Sequence, residues 1–282
     1  MNTIKTFFLM MVMTALLLLA GAAIGGEGGI VIALIFALIM NVGGYWFSDR
    51  IALGMAHAHP VTQQEDPELY QIVEEQASLS GLPMPKVYEI ATDSPNAFAT
   101  GRNRNHATVA VTTGIRRILN REEIGAVLAH EMAHVGNRDT LIMAFVATIA
   151  GAISMLAMMS QFSVMFGGMG GRERGGGSII GLLVVAIVMP VVALVVRSAI
   201  SRTREFQADA VGARTSGNPY ALASALEKLE RGSQARPMKV AEWASHVFLV
   251  NPLSGRSMAK LFSTHPPVQE RVRRLREMRS NF

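Results

Sequence analysis

Residues 120–136 read Asn-Arg-Glu-Glu-Ile-Gly-Ala-Val-Leu-Ala-His-Glu-Met-Ala-His-Val-Gly. Asn120 followed by Glu123 is a capping box, so a helix opens here and runs to about Gly136. On that helix His130 and His134 stand at i and i+4, one turn apart on one face. The five residues His130–His134 match H-E-x-x-H, in which two neutral imidazoles can share one zinc ion. Glu131 lies beside them and can accept a proton from a water that the metal acidifies. The plainer reading is two exposed histidines on an ordinary helix. With seven histidines in the chain, a chance match has odds of about one per cent.

A catalytic zinc takes a third protein ligand and keeps one position open. The chain has no cysteine, which excludes thiolate ligands, iron–sulfur clusters and disulfides. The remaining candidates are His57, His59, His106, His246, His265 and the acids. Among the acids, Glu205 and Asp209 in Arg-Glu-Phe-Gln-Ala-Asp are i and i+4 on a predicted helix. Glu205 can bind the metal while Asp209 orients a ligand from behind. From spacing alone, a surface helix of mixed charge is as good a reading. His57 and His59, two residues apart in a linker, do not share a helix face.

Half of the 282 residues are apolar and only 17% are charged, against about 25% in an ordinary soluble protein. The charges are unevenly spread. Residues 6–26, 28–48, 140–171 and 175–196 carry none. Each stretch holds enough apolar residues for a helix that crosses a bilayer. The first resembles a signal peptide in outline, but the second follows after a few glycines, so the two read as a hairpin. Lys5 and Arg50 flank the first pair, and Arg138 and Arg197 flank the second. Basic flanks place both soluble parts, and both termini, in the cytoplasm of a multi-pass inner-membrane protein. Arg172 and Arg174 in the glycine-rich turn of the second pair run mildly against this, and leave open a pair that only dips into the bilayer. The expected organisation is a transmembrane hairpin over 4–48, a first soluble part over 50–139, a second transmembrane pair over 140–196 and a second soluble part over 197–282. Each soluble part is small for an independent core, so the two are expected to fold together.

Within them, Asp66-Pro67-Glu68 opens a helix stopped by Gly81 and Pro83. Residues 87–90, 96–99 and 108–113 read as short strands. Residues 201–214, 219–231 and 267–278 read as helices. The last is basic and amphipathic, with Val268, Val272, Leu275 and Met278 on one side and arginines that can face anionic lipid. The fold class is α+β, mainly helical with a small sheet, combined with about four transmembrane helices.

The H-E-M-A-H of residues 130–134, the S-R-T-R-E-F-Q-A-D of 201–209, the N-A-F of 96–98 and the T-H-P-P of 264–267 resemble the HtpX family of heat-shock membrane proteases, relatives of the CAAX prenyl endopeptidases. The resemblance covers essentially the whole chain. It implies a zincin-like metalloprotease domain with one zinc ion held by His130, His134 and Glu205. It also implies Glu131 as base and His265 as stabiliser of the oxyanion. Asn96, Ala97 and Phe98 would lie on an edge strand that pairs with the substrate backbone. The implied activity is endopeptidase cleavage of damaged or misfolded membrane proteins at the cytoplasmic face, as part of quality control and stress response. Membrane proteins and the lipid bilayer are the expected partners. Nucleic acid is not expected, and homo-oligomer formation is left open. Two other functions compete: a transporter or scaffold with an incidental H-E-x-x-H, and a processing protease for lipidated peptides. The first lacks the charges within spans that ion transport uses.

Overall fold

A four-stranded mixed sheet forms one layer and helices cover it. In the computed structural model, which describes residues 2–140, 142, 202–235 and 266–278, the strands are β1 (Ala58–Pro60), β2 (Lys86–Ile90), β3 (Ala97–Thr100) and β4 (Thr108–Thr112). Their order is β1-β2-β4-β3. The central pair is parallel and both outer pairs are antiparallel. Among the described residues β3 is therefore an edge. Ala97 lies opposite Val111, and Thr100 opposite Thr108. The Asn96 carbonyl accepts from Thr112 N–H at 3.0 Å. That contact sets the phase of the ladder: residues 96, 98 and 100 turn their backbone groups to β4, while Ala97 and Ala99 turn theirs outward.

The helices are α1 (Asn2–Trp46), α2 (Ser48–Met55), α3 (Pro67–Leu79), α4 (Thr113–Ile118), α5 (Arg121–Asn137), α6 (Arg202–Ser216), α7 (Pro219–Ala235) and α8 (Val268–Glu277). The start signals act as the sequence suggests. Asp66 accepts from Leu69 N–H at 3.0 Å. Asn120 and Glu123 exchange both bonds of the capping box at 2.9 Å. α5 is the central helix, packed on α3, α6, α7 and β3. One core runs from Leu69 and Val73 through Val127 and Leu128 to Leu222, Leu226 and Leu275. Residues on both sides of 140–196 thus supply the same interior.

Three short elements differ from the sequence reading. The supposed linker around His57 and His59 holds α2 and β1. Ala52, Leu53 and Ala56 of this stretch cover Phe98 and Ala110 on the outer sheet face. With a single helix of eight residues and a strand of three, neither has enough length for a periodic signal. Residues 113–118 form α4, because the Thr112 side chain ends β4 and caps the next helix at Ile115 N–H, 3.1 Å away.

α1 turns sharply at Gly26, whose φ of 56° and ψ of −138° suit only glycine. Its two arms approach closely at Gly21 and Gly29, where a side chain on Gly29 would strike the Gly21 carbonyl. Farther along, Asn41 Nδ2 donates to Thr14 Oγ1 at 2.9 Å. The second arm, Gly26–Trp46, is 21 residues long and apolar enough to cross a membrane, about 31 Å at 1.5 Å per residue. The first arm contains the shorter apolar run Met10–Leu19. Large apolar side chains such as Phe7, Phe8, Ile32, Leu38 and Ile39 lie exposed on this hairpin. The third and fourth uncharged segments lie outside the described residues.

Candidate metal centre

α5 buries His130, Glu131 and His134, each no more than 5% exposed. The two imidazoles face each other, Nε2 to Nε2, at 3.2 Å. Glu205 enters from α6, with Oε1 3.5 Å from His134 Nε2 and Oε2 3.9 Å from His130 Nε2. One ligand atom from each residue lies within 4.8 Å of the others. α6 can come this near because of Gly212, two turns beyond Glu205 on the same face. A Cβ there would sit 2.7 Å from His130 N and 2.8 Å from its Cα.

The other ring nitrogens are held from behind. His130 Nδ1 lies 3.0 Å from Asp209 Oδ1, and His134 Nδ1 lies 3.2 Å from Asp139 Oδ2. Each aspartate is in turn met by an arginine. Arg271 of α8 donates Nε and Nη2 to Asp209 at 2.8 and 2.7 Å. Arg204 of α6 donates to Asp139 at 3.3 Å. Asp139 reaches back because Arg138 ends α5 in the left-handed region, φ 60°. A carboxylate on Nδ1 fixes the ring and turns the Nε2 lone pair inward, as metal-binding imidazoles require.

The electrostatics fit a divalent cation. Glu131, Asp139, Glu205 and Asp209 are buried carboxylates, met by the two guanidinium groups of Arg204 and Arg271. Burial pushes His130 down to about 4, against the pull of Asp209. Burial also acts on His134, but its hydrogen bond to Asp139 and the charges of Glu205, Glu131 and Asp139 outweigh it and raise it to about 9. Asp209 resists protonation despite its burial, because Arg271 and His130 hold it at about 2. Two nitrogens and one carboxylate oxygen form a donor set that zinc accepts readily.

Glu131 stands apart from the three inward-facing ligands. Its Oε2 accepts from Ala99 N–H at 2.9 Å, one of the two residues of β3 whose backbone faces outward. A carboxylate is thus set between the metal cluster and the outward backbone of β3.

The model of peptidase family M48 matches residues 63–279. The chain belongs to peptidase family M48. Among its relatives, the "Protease HtpX homolog" of Syntrophobacter fumaroxidans is 51% identical, over 97% of this chain and 98% of that one. That of Syntrophotalea carbinolica is 52% identical, over 99% of both. That of Thermococcus sibiricus is 46% identical, over 99% and 97%. The crystal structure of S. mikatae Ste24p is similar in fold, with a TM-score of 0.53 at 20% identity, over 97% of this chain and 65% of that one.

In this M48 chain the residues singled out by sequence come together selectively. His130, His134 and Glu205 converge. Asp209 backs His130 and does not join the ligand atoms. Ala97 and Phe98 lie on the edge strand, and Asn96 immediately precedes it. His265 and His246 lie outside the described residues. His57, His59 and His106 are exposed and stand outside the cluster. Three functional positions escaped the sequence reading: Asp139, Arg204 and Arg271. Arg271 does not face lipid, since it is 1% exposed. Its signal was present, because it falls three residues after Val268 and four before Leu275, inside the apolar face of α8.

Proposed function

We propose that this M48 peptidase is a zinc-dependent endopeptidase of the cytoplasmic membrane that cuts damaged or misfolded membrane proteins at the cytoplasmic face. The observation that carries this reading is the placement of Glu131 between the His130–His134–Glu205 cluster and the outward backbone of β3. The relatives, each a protease by name and similar over nearly their full length, support it. His130, His134 and Glu205 would hold the zinc. Bound there, zinc would supply Lewis-acid chemistry, acidifying a water and polarising the scissile carbonyl. Glu131 accepts the proton of the attacking water and passes it to the leaving nitrogen. Asp209 and Asp139 keep the imidazoles in register. The outward backbone of Ala97 and the carbonyl of Ala99, whose N–H is taken by Glu131, hold an extended substrate by strand addition, which reads little side-chain sequence. His265, by its family resemblance, donates to the oxyanion.

The same reading places the chain as a four-span protein. Its hairpin is 4–48, its second pair 140–196, and its soluble parts and termini lie in the cytoplasm. Unfolded segments of membrane proteins are the expected substrates. Glu131→Gln separates base from ligand. Purified protein in detergent should keep one zinc per chain, measured by atomic emission, and lose casein cleavage by at least about 100-fold. Substantial remaining activity would remove Glu131 from the role of base.

A further inference from the structure

The edge strand is fastened to the end of the membrane helix. β3 ends at Thr100, and Gly101 follows in a conformation open only to glycine, φ 131°. A side chain at Gly101 would strike the His106 carbonyl, so the turn is fixed tightly. Arg102 comes next and stacks on the indole of Trp46, 4.8 Å from the ring centroid. Trp46 is the last residue of the apolar helix, half exposed, where aromatic rings mark the membrane–water boundary. Arg50, one turn beyond, lies over Phe47 at 5.6 Å. The Gly101 carbonyl accepts from the Thr140 hydroxyl at 3.0 Å, and Thr140 opens the next uncharged stretch. α2, which directly follows the membrane helix, packs on Phe98 of β3 itself.

On the reading that β3 holds the substrate, we infer that the Arg102–Trp46 contact is a ruler that sets how far from the bilayer a membrane protein is cut. Glu131 meets β3 at Ala99, three residues before Arg102. Three residues of fully extended chain reach about 10 Å and the turn at Gly101 shortens that, so the cleavage point lies within about 10 Å of the boundary. A substrate leaving the bilayer beside Trp46 is cut after a short stretch, roughly three to ten residues from its span. Arg102 touches neither zinc ligands nor the substrate edge and is a positioning residue. Its loss frees the exit turn of β3 from the membrane helix.

The test uses full-length enzyme in proteoliposomes with a destabilised single-span substrate, cut sites mapped by mass spectrometry, and casein as a soluble control. Arg102→Ala should cut casein within about twofold of wild type. The share of membrane-substrate cuts beyond ten residues from the span should rise by about two- to fivefold, the scale of one cation–π contact. Arg102→Lys, which keeps a cation over the ring, should restore the wild-type map. Trp46→Leu, which keeps the apolar anchor but removes the ring, should copy Arg102→Ala and serves if that variant folds poorly. An unchanged map in both ring-contact variants, with casein cleavage intact, overturns the ruler alone. A wild-type enzyme inert on both substrates overturns the peptidase reading, and the ruler with it.

Discussion

Each imidazole at the centre is steadied through Nδ1 by its own Asp–Arg pair, and the two pairs share no member. Arg271 donates twice to Asp209 and comes only within 3.5 Å of His130 Nε2, so its main hold on His130 runs through Asp209, in series. Asp209→Ala and Arg271→Gln should each weaken zinc by about 10–100-fold, the usual cost of losing such a partner. The double variant should lose little more than the worse single one. Asp139→Asn, on the other imidazole, should multiply with either. Competition with a chromophoric chelator gives these affinities directly. A fully multiplicative Asp209–Arg271 pair would show that Arg271 reaches the ion by another route, such as its 3.7 Å approach to Glu205. The ligands were legible because i, i+4 spacing on a helix determines which atoms can share a point. Asp139 was not, because its return to His134 depends on a left-handed turn at an arginine, where no residue preference announces it.

Elements bring the two ligand sets together, and one small residue permits it. Glu205, Asp209 and Gly212 form a single stripe of α6, with Gly212 seated on the backbone of His130. Gly212→Ala must push α6 from α5, since the atoms it meets are main-chain and cannot swing aside. A loss of about 1–3 kcal/mol of stability is expected, with zinc affinity falling alongside it in the chelator assay. Normal zinc binding by this variant would mean that the crossing is looser than the contacts imply. The edge strand gives a second test at this scale. Ala97 N–H faces outward and, among the described residues, is met by the neighbouring Asn96 side chain at 3.0 Å. Ala97→Pro therefore removes a donor for substrate without touching the ladder to β4. It should lower kcat/KM on casein by about 10-fold or more while zinc stays bound. Full turnover would move substrate pairing off β3. Strands β2, β3 and β4 were readable from their composition, but not the edge. Edge position is set by the strand order, in which β4 inserts between β2 and β3, and no local pattern encodes that.

At the scale of the whole molecule, the shared cluster constrains topology. His134 comes before the region 140–196 and Glu205 after it, and their ligand atoms lie 3.5 Å apart. The chain between them must leave and return on one side of any membrane it enters, so its crossings are even in number. The single core drawn from both sides of that region demands the same. The hairpin of α1 obeys a matching rule, with its turn at Gly26 opposite both ends. The absence of cysteine makes this testable with single introduced thiols. Ser78 is exposed on α3, and Gly28 has open space around it at the hairpin turn. In intact cells, Ser78→Cys and Ser245→Cys should resist an impermeant thiol reagent and react after lysis, while Gly28→Cys should label from outside. Outside labelling of Ser245→Cys alone would place the two soluble parts on opposite faces. The cluster could not then form from one chain, because no helix of α6's length reaches across about 30 Å of hydrocarbon.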